Sequence, residues 1–386
     1  MPGAHAHTKL PHRSIWWRVT YAALAAVVAA AVVVTLVHTT GTKVSATTPA
    51  SMPTASLTAS KRPLNVVSVS PADGAAAVPS DATLTVQFSE PLSAQSPMPT
   101  LTPPVAGSWQ QVTPTTLAFA PSAPLVPSTT ETLNVPGGAG GIESAGGIVL
   151  GQGTTVHFTV AAGSTLRLQQ LLAQLGYLPV GFTAAGPLTA PQELAQPQEG
   201  TFTWRFLEPS SLTSLWTPGT WNAITKGAVM TFENQHDMRA DGEPGPAVWG
   251  QLLASAEAGT GDPAAYNYVY VSETLPETTT VYSNGADIYS TLANTGAASV
   301  PTAQGTFPVF EHLTSTTMSG TNPDGTKYVD PGIPWVSYFN GGDALHGYVR
   351  AAYGFPQSDG CVEMPPANAG VVFPYTPIGT LVTVAA

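Results

Sequence analysis

The sequence predicts a multidomain chain: one N-terminal transmembrane helix, an all-β sandwich, a small α-helical domain and a mostly β C-terminal domain. Three observations carry this. A run of residues near the N-terminus holds no charge. Two separate stretches alternate apolar and polar residues between Pro, Gly and Asp turns, and the segment between them sets leucines at helical spacing. At 386 residues, 43% of them hydrophobic, the chain can build several cores; 37 Gly and 37 Pro argue against long helices.

The uncharged run is "VTYAALAAVVAAAVVVTLV", Val19–Val37. As a helix it would span roughly 28 Å, close to the hydrocarbon thickness of a bilayer. Lys9, Arg13 and Arg18 precede it, with Trp16 and Trp17 at the interfacial position. Positive charge stays inside, so residues 1–18 are expected to be a cytoplasmic tail and the rest of the chain extracytoplasmic. The expected location is the plasma membrane, single-pass, with the C-terminal domains on the extracytoplasmic side. A cleaved signal peptide is the rival reading, although its apolar core is usually about 7–15 residues.

Charge divides along the chain. Residues 1–62 hold six Lys/Arg and no acid, whereas residues 63–386 hold six Lys/Arg against 23 Asp/Glu, a net of −17. So acidic an ectodomain cannot neutralise many phosphates, which excludes nucleic acid as a partner class and favours cationic groups on a substrate.

Residues 38–62 are Thr, Ser, Ala and Pro with few large apolar side chains, and are expected to be a flexible linker. Residues 63–161 follow as a β domain. "LNVVSVSPADG", "ATLTVQFSEPL", "TTLAFAPSAPL", "TTETLNVPGG" and "TTVHFTVA" alternate at short spacing, which suggests about seven strands in a sandwich. The stretch "VSVSPADGAAAVPSDATLTVQFSEPL" resembles bacterial immunoglobulin-like domains.

In "STLRLQQLLAQLGYL", residues 164–178, Leu168, Leu171, Leu172 and Leu175 lie at helical spacing and Gly176 stands where a C′ glycine would. In "KGAVMTFENQHDMRADGEPGPAVWGQLLAS", residues 226–255, Val229 and Phe232, then Trp249, Leu252 and Leu253, predict two more helices with "RADGEPG" as the turn. Leu175-Gly176-Tyr177, Ala228 to Phe232, Asp241 to Pro246 and Trp249 to Leu252 together resemble a peptidoglycan-binding helical domain over residues 164–257. An insert, residues 186–225, departs from that pattern. The alternative is a helical spacer that binds no glycan.

From Tyr266 the strand pattern returns. Tyr266, Tyr268 and Tyr270 alternate with Val269 and Val271, Asn284-Gly285 is a type I′ hairpin signal, and "IGTLVTVA" reads as a closing strand. Residues 264–386 are therefore expected to form an antiparallel, mostly β catalytic domain.

The chain has one cysteine, Cys361, set in "FPQSDGCVEM". Exported proteins usually pair their cysteines, and one cysteine cannot bridge internally. Ser358, Asp359 and Gly360 before it look like a turn, which favours a reactive thiol over a buried inert one. A thiol attacks only as thiolate and needs a base. His346, in "ALHGYV", lies fifteen residues upstream, far enough for a chain to leave a strand and return beside it. Backbone amides at Gly360 and Cys361 could hold an oxyanion. A main-chain carbonyl near Gly347 could orient the imidazole. His5, His7, His12, His38, His157, His236 and His312 are weaker candidates. A metal site is not expected, because structural zinc wants four ligands, and no cofactor is implied.

"LHGYVRAAYGFPQSDGCVEMPPANAGVVFPYTPIGTLVTV" resembles the catalytic segment of the L,D-transpeptidases, the YkuD family. His346-Gly347, then Ser358, Gly360, Cys361, Val362 and Met364, match its His-Gly and Ser-His-Gly-Cys-Val/Ile-Arg-Met pattern. "VPTAQGTFPV", residues 300–309, is similar to its Thr-Pro-x-Gly-x-Phe strand entry. The resemblance implies that Cys361 is acylated, that His346 is its base, that the Gly347 carbonyl orients the ring, and that Gly360 and Cys361 N–H groups form the oxyanion hole. It implies cleavage of a tetrapeptide stem before its terminal D-alanine and transfer of the diaminopimelate acyl group to another stem's amine. It implies acylation by carbapenems too. Ser358, Asp359, Tyr328, Trp335, Tyr338 and Tyr353 are the candidate substrate contacts, the aromatics either walling the pocket or closing the core. Asp359 stands where the family usually has histidine, and Glu363 where it has arginine or asparagine. The expected partners are peptidoglycan stems and glycan, with the membrane reached through one helix. The alternatives are an inactive wall-binding structural protein, or a cysteine hydrolase or carboxypeptidase acting on the same stems.

Overall fold

The computed structural model describes residues 62–321 and 325–386. The apolar segment Val19–Val37 and most of the 38–62 linker lie outside the described residues. Among the described residues no helix is long and apolar enough to cross a membrane.

The first described region is a sandwich of eight strands: β1 (Val66–Ser70), β2 (Ala75–Val78), β3 (Leu84–Phe88), β4 (Thr100–Thr102), β5 (Gly107–Thr113), β6 (Thr116–Pro121), β7 (Thr130–Val135) and β8 (Thr154–Val160). They form two four-stranded sheets, ordered β1-β3-β6-β5 and β2-β8-β7-β4. Alternate residues of each strand enter the core. Leu84, Val86 and Phe88 of β3 meet Leu133 and Val135 of β7 and Val156, Phe158 and Val160 of β8. The period-two pattern in the sequence is this inward-facing set.

A helical module follows. Helix α1 (Thr165–Gln174) is capped by Ser164, whose hydroxyl accepts the Arg167 N–H. It ends in a Schellman motif. Gly176, at φ +87°, donates to the Ala173 carbonyl, and Tyr177 donates to Leu172. A side chain there would be held in the left-handed region, so the C′ position wants glycine. The 186–225 insert is only partly irregular. Strand β9 (Val180–Ala184) pairs antiparallel with β10 (Gly200–Trp204), a 3-10 turn spans Pro191–Ala195, and α2 is the short Ser210–Thr213. Helices α3 (Ala223–Gln235) and α4 (Pro246–Ala258) complete the module. Asn222 caps α3, and Pro246 opens α4 where its missing N–H costs nothing.

The C-terminal region has two sheets. The strands are β11 (Asn267–Ser272), β12 (Thr278–Ser283), β13 (Ala286–Leu292), β14 (Gly305–Pro308), β15 (Glu311–Thr321), β16 (Lys327–Asn340), β17 (Asp343–Gly347), β18 (Val362–Met364) and β19 (Leu381–Ala385), with α5 (Pro366–Val372) before the last. One sheet runs β13-β12-β11-β19-β14 and the other β15-β16-β17-β18. Pairing is antiparallel except β11 with β19 and β17 with β18. Asn284 and Gly285 both have positive φ between β12 and β13, as a type I′ turn requires.

The alternation of Tyr and Val in β11 has a two-sided cause. Val269 and Val271 face the second sheet, packing with Phe339, Leu345, Val362 and Val382. Tyr268, with Leu381 of β19, faces the opposite way and joins the core of the helical module beside Phe232 and Trp249. The module therefore covers the back of the five-stranded sheet, and the second sheet covers its front.

Candidate active site

The site forms where β17 and β18 run side by side. Parallel strands need a crossover, and residues 348–361 supply it. The register pairs Leu345 with Val362, His346 with Glu363 and Gly347 with Met364. Paired residues share a face of the sheet, and side chains alternate along each strand. Leu345, Val362 and Met364 therefore enter the core, while His346, Glu363 and, one step before β18, Cys361 point the other way. His346 and Cys361 line one cavity of about 310 Å³ with Tyr328, Tyr348, Arg350 and Asp359.

His346 is 3% exposed. Its Nδ1 lies 3.2 Å from the Gly347 carbonyl oxygen. A carbonyl can only accept, so Nδ1 carries the proton and Nε2 is the basic nitrogen. Burial holds the imidazole below its ordinary pKa, opposed by the Gly347 bond and the Glu363 charge. The ring is neutral at pH 7.

Cys361 donates to the Gly342 carbonyl at 3.5 Å. Burial pushes its thiol up to about 12, and the carboxylates of Asp343, Glu363 and Asp359 push the same way. At rest the sulfur is therefore a thiol, and a thiolate has to be made during reaction.

The residues around the cysteine hold it in place. Ser358 is buried, and its hydroxyl donates to the Cys361 carbonyl. Gly360 has φ +108°, and a Cβ there would sit 2.9 Å from an Asp343 carboxylate oxygen. Asp343 in turn accepts the Ala303 N–H. A Cβ on Gly347 would lie 2.9 Å from the Pro366 Cα, so only glycine lets α5 approach β17 this closely.

The structure brings some of the predicted contacts to the cleft and leaves others away from it. Asp359 and Tyr328 line the cavity, and Tyr338 packs in a small cluster with Cys361 and Tyr348. Trp335, at φ +60°, packs on Phe373 with ring centroids 5.4 Å apart, beside α5. Tyr353 works as a latch. Its hydroxyl donates to the Tyr348 carbonyl at 2.6 Å and accepts the Arg350 N–H at 3.0 Å. His312 lies in β15, its ring stacked on Phe373 at 3.7 Å.

One pair was not anticipated. Glu363 is buried and receives two 2.7 Å bonds from Arg350, from Nε and from Nη2. Arg350 also lies 4.7 Å from the centre of the Tyr348 ring, and Tyr348 donates to Asp330 at 3.3 Å. A bidentate fork of this kind is strong and directional. It neutralises the glutamate that shares His346's register position. The only sequence signal is an arginine three residues past β17 in a region nearly free of cations. Among the described residues no group of three or more His, Cys, Asp or Glu is placed to hold a metal ion.

Residues 266–384 match the L,D-transpeptidase catalytic domain family, YkuD, and residues 60–160 match the bacterial Ig-like domain family. The C-terminal domain is thus matched as an L,D-transpeptidase catalytic domain, which makes the chain an L,D-transpeptidase enzyme through that domain. No curated protein matches it. Solved structures similar to it include an L,D-transpeptidase from Mycobacterium smegmatis, at 14% identity, 84% of this chain, 100% of that one and a TM-score of 0.29. L,D-transpeptidase 3 from Mycobacterium tuberculosis, in complex with a faropenem-derived adduct, is similar at 13% identity, 83% and 98% coverage and a TM-score of 0.29. The catalytic domain of the Enterococcus faecium L,D-transpeptidase shares 26% identity over 32% of this chain and 100% of its own, with a TM-score of 0.29.

Proposed function

We propose that this chain cross-links peptidoglycan stem peptides through an acyl-enzyme on Cys361. The observation that carries the proposal is one cleft lined by both Cys361 and His346, the imidazole tied through Nδ1 to the Gly347 carbonyl. Sulfur attacks the diaminopimelate carbonyl carbon as its proton passes to His346 Nε2. The N–H groups of Gly360 and Cys361 hold the oxyanion. The C–N bond breaks, the terminal D-alanine leaves with the proton from His346, and a thioester remains. A second stem's ammonium loses one proton to solvent, its amine attacks the thioester and gives a second proton to His346, and the sulfur leaves and takes that proton back as a thiol. The raised thiol pKa suits this order, because the proton moves only when a carbonyl is there to receive the sulfur's electrons.

An amine acceptor reaches the cleft as an ammonium ion. Asp359 and Asp330 line the cavity and would attract it. This favours transfer to an amine over hydrolysis. In the same reading the Val19–Val37 segment anchors the chain in the membrane, the Ig-like domain spaces the enzyme from it, and the helical module holds the wall.

The test is intact-mass spectrometry of the full chain with imipenem, followed by analysis of products from a tetrapeptide stem with and without an amine acceptor. A single adduct on Cys361 and acceptor-dependent dimers are expected. A folded chain that takes no adduct would leave only the structural reading, and free tetrapeptide trimmed to tripeptide would indicate the carboxypeptidase.

A further inference from the structure

The helical module buries a cation without an anion. Arg167, on the first turn of α1, is 1% exposed. Its Nε donates to the Leu194 carbonyl at 2.9 Å, and its Nη1 donates to Gln170 Oε1 at 3.2 Å and Gln198 Oε1 at 3.0 Å. All three acceptors are neutral. Among the described residues no carboxylate lies within ion-pair distance of Arg167, and its Nη2 makes none of these bonds yet is not a fully buried atom, so it is reachable from solvent. Burial lowers the guanidinium to about 10, so it stays charged at neutral pH. A buried charge is normally paired, because desolvation of an ion costs several kcal/mol that neutral acceptors only partly offset.

The surroundings are built to keep Arg167 where it is. Gln170 Nε2 donates to the Gln198 carbonyl, and the Gln198 N–H donates back to Gln170 Oε1. Leu194 and Gln198 both come from the 186–225 insert. Arg167 also lines a cavity of about 610 Å³ with Gln174, Leu188, Leu194, Gln198 and Asp262. That size lies in the range of small-molecule sites. Asp262, whose carboxylate accepts the Ala264 N–H, is the acidic group on this cavity. It disfavours a dianion and leaves a monoanion acceptable.

We infer that Arg167 anchors a carboxylate-binding site in the helical module, filled by a free carboxylate of a peptide stem. The ligand's oxygen takes the open Nη2 and supplies the missing charge. The identity of the ligand rests on the proposed function, since stems are the carboxylate-bearing peptides that the cleft would act on. The site is remote from Cys361 in sequence and lies on the face of the module that the insert builds. It would hold one stem while another is processed.

The experiment titrates the full-length Cys361→Ala chain, labelled with ¹⁵N-glycine, with a stem tetrapeptide, its fully amidated counterpart, and inorganic phosphate. Gly176, Gly186, Gly259 and Gly261 line the cavity and report on it. Their signals are expected to shift with the acid, with affinity at least tenfold weaker for the amide and for Arg167→Gln. Arg167→Gln should still take the imipenem adduct in a chain that keeps Cys361. No shift of these glycines with the acid overturns the inference, and so does equal binding of acid and amide. Binding of phosphate as tight as the acid overturns the carboxylate assignment. The comparison of acid with amide needs no Arg167 variant and stands even if Arg167→Gln fails to fold. Loss of the imipenem adduct alone would sink the proposed function and leave the cavity result to be judged by itself.

Discussion

Arg350 and Arg167 differ in what receives them. Arg350 meets Glu363 in a two-bond fork at 2.7 Å, and the pair closes one wall of the cleft. Arg167 meets a backbone carbonyl and two glutamine side chains, and no carboxylate among the described residues answers it. The first is a charge consumed by architecture. The second is a charge kept in hand. A buried ion with its counterion present contributes little affinity for anything else, whereas one held by neutral dipoles is a standing demand for an opposite charge. Glu131 of the sandwich is a third case, a buried carboxyl with one oxygen unpartnered. It can meet the demand by keeping its proton, which an arginine cannot do.

The largest expected break between the two regions is chemical. Cys361→Ala or His346→Gln should lower imipenem acylation and cross-linking by at least about a thousandfold, as loss of a nucleophile or its base does. Arg167→Gln should leave the acylation rate unchanged. Rapid-quench mass spectrometry measures both. The pH dependence of acylation sharpens the point. His346 titrates below its ordinary value, and it must be neutral to accept a proton. The rate should therefore fall about tenfold per pH unit below a midpoint under about 6.5, and stay level from pH 7 to 9. A rise through the ordinary thiol range would mean attack by a pre-formed thiolate instead.

Smaller effects test the charge argument itself. Arg350→Ala strands a buried carboxylate and should destabilise the catalytic domain by about 2–3 kcal/mol, below the fully buried range because the arginine end is partly solvated; urea denaturation measures this. Glu131→Gln should have the opposite sign. Burial raises the Glu131 carboxyl to about 7, above the value of an unfolded chain. The folded state therefore holds that proton more tightly, and the associated stability is complete below about pH 4.5 and lost as pH rises through about 7. Removing the group should stabilise the sandwich by about 1–2 kcal/mol at pH 8 and change little at pH 4. Equal melting shifts at both pH values would show that burying the Glu131 carboxylate carries no such cost.

Local signals in the sequence carried over well into the structure. Leu168, Leu171 and Leu172 are buried on α1 as their spacing requires, Gly176 ends that helix, and Asn284-Gly285 turns β12 into β13. The His346-Gly347 dipeptide ends up on β17, and Gly360-Cys361 immediately precedes β18, the strand paired with it. Long-range partners were not legible. Glu363 looked like a departure from a pattern because Arg350 reaches it only through the crossover loop. Nothing local marks Asp343, since its approach to Gly360 depends on how that loop folds back. The 186–225 insert concealed β10 because its partner, β9, precedes it and the two are separated by Pro- and Gln-rich sequence. Trp335 and Tyr353 share the composition of pocket walls, yet one packs on Phe373 and the other pins a loop backbone. An aromatic residue's type does not reveal which side of a strand or loop it occupies.

The position of β19 has a consequence for the nascent chain. It lies between β11 and β14, and Tyr268 pairs with Leu381 across more than a hundred intervening residues. Until β19 leaves the ribosome β14 has no partner in the five-stranded sheet, and the helices behind it lack Leu381 from the surface they settle on. Closure of so distant a pairing is slow, which leaves the single thiol in an unfinished domain during synthesis and gives it a working neighbourhood only at the end.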